Sequence, residues 1–196
     1  MRLWLRVRRL RVLLTTIAGL VATVVLAGGI QLPVPNLLGG ARLGVPLGLL
    51  VPLAAPIVIA WGLSSGDSRL EGVASRPMRL FDTAFAVGGA GLTLAACLLA
   101  YAGFGTSVAA AAGRATLGYV GLMLIGRSII GPMAAPLIPT GFAVFTALFG
   151  LGAMRRPRPW AWPLHDVGDP AAWAVAMGIL VVGTLAGLRY PAHRFW

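Results

Sequence analysis

Residues 83–104, TAFAVGGAGLTLAACLLAYAGF, form an apolar stretch of 22 residues that contains no charged side chain. A transmembrane helix needs about 20 such residues to cross the hydrocarbon core of a bilayer. Charged residues stand just before the stretch, at Arg79 and Asp82. We therefore predict that residues 83–104 cross a membrane as a single helix.

The composition of the whole chain agrees with this prediction. The chain has 196 residues, of which 58% are hydrophobic and 11% are charged, and its mean hydropathy is +0.88. Soluble domains have about 25% charged residues, so this chain has too few to cover a surface exposed to water. We predict an all-α fold, a polytopic transmembrane helical bundle of about six spans that forms a single domain over residues 1–196.

Six apolar stretches predict the individual spans. They cover residues 12–30, 43–63, 83–104, 115–131, 138–154 and 171–188. Pro46, Pro52 and Pro56 fall in the second stretch and predict kinks or a broken helix there. Connections rich in proline and glycine, or short and polar, are expected at 31–46 and 105–114.

The N-terminal segment 1–11, MRLWLRVRRLR, contains five arginines. On a helix, Arg2, Arg6 and Arg9 fall on one side and apolar residues on a neighbouring side. This pattern predicts an amphipathic helix lying in the membrane interface, with Trp4 at the depth of the headgroups. The alternative is a basic tail that only sets the topology. We interpret the apolar run that follows as a span and not as a cleaved signal peptide.

Arginine placement predicts the orientation, since all 16 basic residues are arginine. With six spans and a cytoplasmic N-terminus, eleven arginines lie inside and five outside, which agrees with the positive-inside rule. We therefore predict a multi-pass protein of the cell (plasma) membrane. The outer cluster Arg155, Arg156 and Arg158 is discordant, and a five-span or re-entrant arrangement would place it inside. The charges suit anionic lipid headgroups of the bilayer, and no basic patch with interleaved aromatics indicates nucleic acid.

Segment 64–82 is the most polar connection and is predicted to be cytoplasmic. Residues of both charge signs in it, Arg69, Glu71, Arg76 and Arg79, can dock a soluble partner. The alternative is a solvated loop whose arginines only set the topology, and spacing alone favours that alternative.

Arg127 lies near the inner end of the fourth predicted span. It can extend to the headgroups, as long basic side chains do at the ends of spans, or it can face a polar cavity in the bundle. We favour the headgroup position.

Loop 155–170 is predicted to be extracytoplasmic. Trp160 and Trp162 are expected to anchor it at the membrane interface. A metal site formed by His165, Asp166 and Asp169 is the alternative, but one histidine and two aspartates in a loop are a weak ligand set, and we favour the anchored loop.

The catalytic and ion-binding groups that the sequence lacks restrict the possible functions. No acid or histidine lies centrally in a predicted span, and the sequence contains no paired carboxylates, metal-ligand cluster or phosphate-binding glycine loop. We therefore predict that the chain is not an enzyme and holds no cofactor or metal. Any uphill transport would be driven by another subunit.

The layout resembles the six-helix permease half of ABC exporters of type V. The matching features are the basic segment 1–11, the polar inner segment with Glu71 and the run SRPMR at 75–79, two closely joined spans, and WAWP at 160–163 before the last span. Residues 113–162 also resemble small actinobacterial-type membrane proteins of this kind.

This resemblance implies a permease subunit that exports a hydrophobic or amphipathic substrate. ATP and Mg would bind a separate cytosolic ABC ATPase, and a second permease half, identical or different, would complete the pathway. Arg69, Glu71, Arg76 and Arg79 would then be coupling contacts. The alternatives are an accessory or structural membrane subunit without its own pathway and a membrane-embedded lipid enzyme.

Overall fold

A computed structural model of the chain describes residues 10–35, 42–64, 78–152 and 156–189. These residues form six α-helices and one β-hairpin. In chain order they are α1 (Leu10–Ala27), β1 (Gln31–Pro35), β2 (Arg42–Pro46), α2 (Ala54–Ser64), α3 (Met78–Phe104), α4 (Ser107–Ile130), α5 (Leu137–Phe149) and α6 (Pro170–Arg189). The predicted all-α helical bundle is confirmed, and the six helices follow the six predicted spans in order.

Four stretches are long and apolar enough to cross a membrane. They are Leu47–Ser64, Arg79–Phe104, Ser107–Ile130 and Pro170–Arg189. The apolar helix α5 has 13 residues and therefore rises only about 20 Å, less than the roughly 30 Å of a hydrocarbon core. Four of the predicted spans thus have transmembrane character by length and composition, and the crossings by α1 and α5 stay predictions.

The second span is broken at its prolines, as predicted. Single turns of 3₁₀ helix at Leu47–Leu49 and Val51–Leu53 precede α2. Pro56 lies in the first turn of α2, where proline removes no helical hydrogen bond. The predicted start of this span at residue 43 is wrong, since residues 43–46 belong to a β-hairpin that hydropathy did not predict. In it, β1 and β2 pair antiparallel from Gln31 opposite Pro46 to Pro35 opposite Arg42.

The expected connection over 105–114 is wrong. Gly105 adopts a left-handed conformation with φ +68° and closes α3 through a hydrogen bond from its N–H to the Tyr101 carbonyl, 2.8 Å. α4 begins two residues later, at Ser107. Its first turns are rich in alanine, the best helix former, although they are less apolar than the rest of the span. Arg114 therefore lies inside a helix and not in a connection.

α4 is the central helix of the bundle. In its apolar stretch 78% of the residues are buried, against 50% or less in the other three stretches that can span. Glycines let α6 cross it closely, because a Cβ added at Gly121 would lie 2.6 Å from the Ile179 carbonyl oxygen, and one at Gly183 would overlap Gly121. Both sites show that backbone touches backbone at this crossing.

Candidate functional site

A cavity of about 330 Å³ lies at one end of the bundle, where three connections meet. The hairpin contributes Gln31, α4 contributes Ser107 from its first turn, and the loop after α5 contributes His165. Apolar side chains such as Val108 and Leu164 form much of the wall. The cavity therefore combines an apolar wall with polar and ionisable groups.

The same cavity shows how the chain passes through the bundle. Leu151, just after α5, and Leu164 line the cavity together with Gln31 of the hairpin. α5 thus brings the chain back to the hairpin end, and the loop with Arg156 and Arg158 lies there. Whether α5 crosses a membrane on this path or is re-entrant stays a prediction. Which side of the membrane this end faces stays a prediction.

Arg114 connects α4 to the loop over residues 156–169, which we call the cavity loop. Its side chain is fully buried. The Nη1 group donates to the Asp166 carbonyl oxygen at 2.8 Å, and Nη2 donates to the His165 carbonyl oxygen. The guanidinium also lies 5.9 Å from the ring centroid of Trp173 on α6. One buried cation thus holds the loop against two helices.

His165 and Asp169 form a second contact inside the cavity loop. Nδ1 of His165 lies 2.6 Å from Oδ2 of Asp169, and Nε2 lies 3.0 Å from the Arg158 carbonyl oxygen. Oδ1 of Asp169 accepts from the Ala171 N–H at 2.9 Å and so caps the N-terminus of α6. The hydrogen bond with His165, followed by that from Ala171, lowers the pKa of Asp169 below its ordinary value.

The structure does not support a metal at this loop. Within residues 10–35, 42–64, 78–152 and 156–189, no group of three or more His, Cys, Asp or Glu side chains is placed to hold a metal ion. Both ring nitrogens of His165 already contact protein oxygens. Asp169 is one of these contacts, and Asp166 makes its contact through its backbone carbonyl, which accepts from Arg114.

Two tryptophans anchor the cavity loop by packing against aromatic rings of the neighbouring helices. Trp162 is only 2% exposed, and its ring lies 5.8 Å from Tyr119 and 5.9 Å from Phe142, centroid to centroid. The ring of Trp162 thus fills the core beside α4, and its depth relative to the headgroups stays a prediction. Trp160 is half-buried against Phe145 at 5.0 Å, and its position at the membrane interface stays a prediction.

At the other end of α4, Arg127 forms an ion pair with Asp82. Their side chains approach to 2.8 Å, and Asp82 is nearly buried, with 3% of its side chain exposed. Asp82 was expected in the connection 64–82, but it lies in α3. Helix packing thus gives Arg127 a carboxylate partner inside the protein, and the depth of its partly exposed side chain relative to the headgroups stays a prediction.

The remaining predicted site residues fall largely outside the described residues. These are Arg2, Trp4, Arg6 and Arg9 of the N-terminal segment and Arg69, Glu71 and Arg76 of segment 64–82. Arg79 is described and is exposed in the first turn of α3. The coupling and interface roles of all eight stay predictions.

The structure is an α-helical bundle with membrane-spanning character, in which apolar helices pack around α4. The buried charged residues Asp82 and Arg114 lie near the two ends of α4. Comparison with protein family models, with curated proteins and with solved structures gave no match.

Proposed function

We propose that this protein is the membrane-spanning permease subunit of an ATP-driven exporter of the ABC type. It moves a hydrophobic or amphipathic substrate, and a separate cytosolic ATPase supplies the energy. It lies in the plasma membrane, with the N-terminus and segment 64–82 in the cytoplasm. The observation that carries this proposal is the attachment of α4 at both ends, to α3 through Arg127 and to the cavity loop through Arg114.

The inner attachment links the proposed docking segment to the centre of the bundle. α3 begins at Met78, directly after most of segment 64–82, and Asp82 lies at the start of its second turn. The ion pair with Arg127 joins this turn to the last turn of α4. A displacement of the docking segment by an ATPase is thereby passed to α4.

The outer attachment links α4 to the cavity. Arg114 precedes Arg127 by thirteen residues, which corresponds to roughly 20 Å along the helix axis. Val108 and Ala111 of α4 line the cavity on one side, and the cavity loop lines it on another. Movement of α4 relative to this loop therefore changes the shape of the cavity.

An accessory subunit without its own pathway is the second candidate. It is favoured by the filled centre of the bundle, where Leu117, Val120, Met123 and Leu124 are all at most 2% exposed. In the exporter proposal, the pathway accordingly runs between this chain and a second permease half, and not through the chain. A membrane-embedded lipid enzyme stays the third candidate, and no specific observation favours it.

Co-purification tests the exporter proposal. The tagged full chain, extracted from its native membrane in mild detergent, is expected to carry an ATPase whose hydrolysis is measured in the eluate. Glu71→Arg and Arg76→Glu are expected to remove that activity, whereas Arg156→Glu in the cavity loop retains it. An eluate without ATP hydrolysis, or equal activity in all variants, contradicts the proposal.

Cysteine labelling tests the orientation separately. Arg79→Cys and Gly168→Cys place thiols at two exposed positions near opposite ends of the bundle, in a Cys97→Ala background. In intact cells, a membrane-impermeant thiol reagent is expected to label position 168 and not position 79. Labelling of position 79 from outside contradicts the cytoplasmic placement of segment 64–82.

A further inference from the structure

Both ring nitrogens of His165 face oxygen atoms of the cavity loop. Nε2 lies 3.0 Å from the Arg158 carbonyl oxygen, which can only accept, so this nitrogen carries a proton. Nδ1 lies 2.6 Å from the Asp169 carboxylate. If that carboxylate is ionised, it also only accepts, and Nδ1 must carry a proton too.

The position of Asp169 favours its ionised form. Its other oxygen accepts from the Ala171 N–H at the N-terminus of α6, where unpaired N–H groups and the helix dipole stabilise negative charge. The lowered pKa of Asp169 agrees with this assignment. The two contacts of His165 are therefore hydrogen bonds at the same time only when the ring is an imidazolium, which donates to Arg158 and to Asp169.

We propose that His165 is a proton-dependent latch, which holds the cavity loop beside the cavity when the ring is doubly protonated and loosens it when the ring is neutral. A neutral imidazole has one N–H and one acceptor nitrogen. It can keep its bond to Arg158 or to Asp169, and the other contact then brings two acceptors together. Because His165 lines the cavity, this loss acts directly at the cavity wall.

Loss of the proton from His165 changes the net charge of the groups beside the cavity. Among the side chains that the structure describes, five charged groups belong to the cavity loop and to the end of α4 that bonds to it. They are Arg114, Arg156, Arg158, Asp166 and Asp169. Arg114 and a protonated His165 carry two positive charges, which balance the two negative charges of Asp166 and Asp169. Loss of the His165 proton leaves these four groups with a net charge of −1, next to the cavity.

Histidine suits such a latch because its charge changes within the range of about pH 5 to 8.

Hydrogen exchange of backbone amides in the cavity loop tests the latch. The amides to follow are Ala161 N–H, which donates to Arg158 O, and Leu164 N–H, which donates to Ala161 O. Hydrogen exchange of the full chain in nanodiscs at about pH 5.5 and about pH 8 measures their protection. After correction for intrinsic rates, loop exchange is expected to be roughly tenfold faster at the higher pH.

Two aspartate variants make the test specific. Asp169→Asn keeps a good helix cap, and its amide can donate to a neutral Nδ1, so the loop should stay protected at both pH values. The matched control Asp166→Asn changes the adjacent carboxylate and should retain the pH response of the wild type. Peptides from the buried centre of α4 report global unfolding in every sample.

The proposal is overturned if corrected exchange of the wild-type loop is the same at both pH values. It is also overturned if Asp169→Asn retains the full pH response, or if Asp166→Asn abolishes it. Exchange of α4 that rises together with the loop would equally contradict a latch, because the pH response would then be global.

Discussion

Arg127 and Asp82 form a nearly buried ion pair, 2.8 Å apart, between the last turn of α4 and the second turn of α3. The two residues are 45 positions apart in the chain. Removing one member of such a pair leaves an uncompensated charge in the protein, whereas removing both can be nearly neutral.

This difference predicts the outcome of a double-mutant cycle. Asp82→Leu or Arg127→Leu alone is expected to lower the free energy of unfolding by about 3–5 kcal/mol. The double variant is expected to be more stable than either single variant. Thermal unfolding in detergent, followed by tryptophan fluorescence, measures all four proteins. Additive losses would show that the pair has no energetic coupling.

Replacement of Arg114 by lysine is expected to release the cavity loop from α4. Its planar guanidinium reaches the carbonyl oxygens of His165 and Asp166 at once, and a lysine ammonium cannot reproduce this fork geometry or its stacking on Trp173. Arg114→Lys should therefore increase proteolysis of the cavity loop while the helical content measured by circular dichroism stays unchanged. Arg79→Lys, at an exposed arginine, is the matched control. Equal proteolysis of both variants would contradict the role of Arg114.

The crossing of α4 and α6 predicts a contrast between two glycines. Gly121→Ala places a Cβ 2.6 Å from the Ile179 carbonyl oxygen, whereas nothing lies within 4 Å of a Cβ at Gly178. Gly121→Ala is expected to destabilise the protein by about 1–3 kcal/mol through overpacking. Gly178→Ala is expected to be neutral or slightly stabilising, because alanine is the better helix former. Equal melting temperatures would indicate that the two helices separate easily.

Acid conditions should weaken the contacts of Asp169. Its pKa is lowered in the folded chain, first by the hydrogen bond with His165 and then by that from Ala171. A lowered folded-state pKa adds stability above the ordinary aspartate value of about 3.9, and this is lost as the pH falls through the folded value. Asp169→Asn is expected to show a smaller loss of melting temperature on acidification than the wild type. Asp166→Asn is the control, and an equal loss in wild type and Asp169→Asn would contradict the assignment.

Hydropathy predicted the helices well because it depends only on residues that are adjacent in the sequence. The uncharged run 83–104 lies within α3, residues 171–188 lie within α6, and the prolines of the second span mark where it breaks. Hydropathy did not locate the start of α4, because Ser107 and the alanines after it are only moderately apolar. Helix propensity was the signal that could have extended α4 to Ser107.

The sequence by itself determined the class of fold, the order of the helices and the places where proline interrupts them, since each depends on local composition. Only the tertiary structure decided that Arg127 meets Asp82, that Arg114 holds the cavity loop, and that Trp162 is buried. These contacts join residues far apart in the chain. They depend on which helix faces meet and how closely, and hydropathy along one segment carries no information about that.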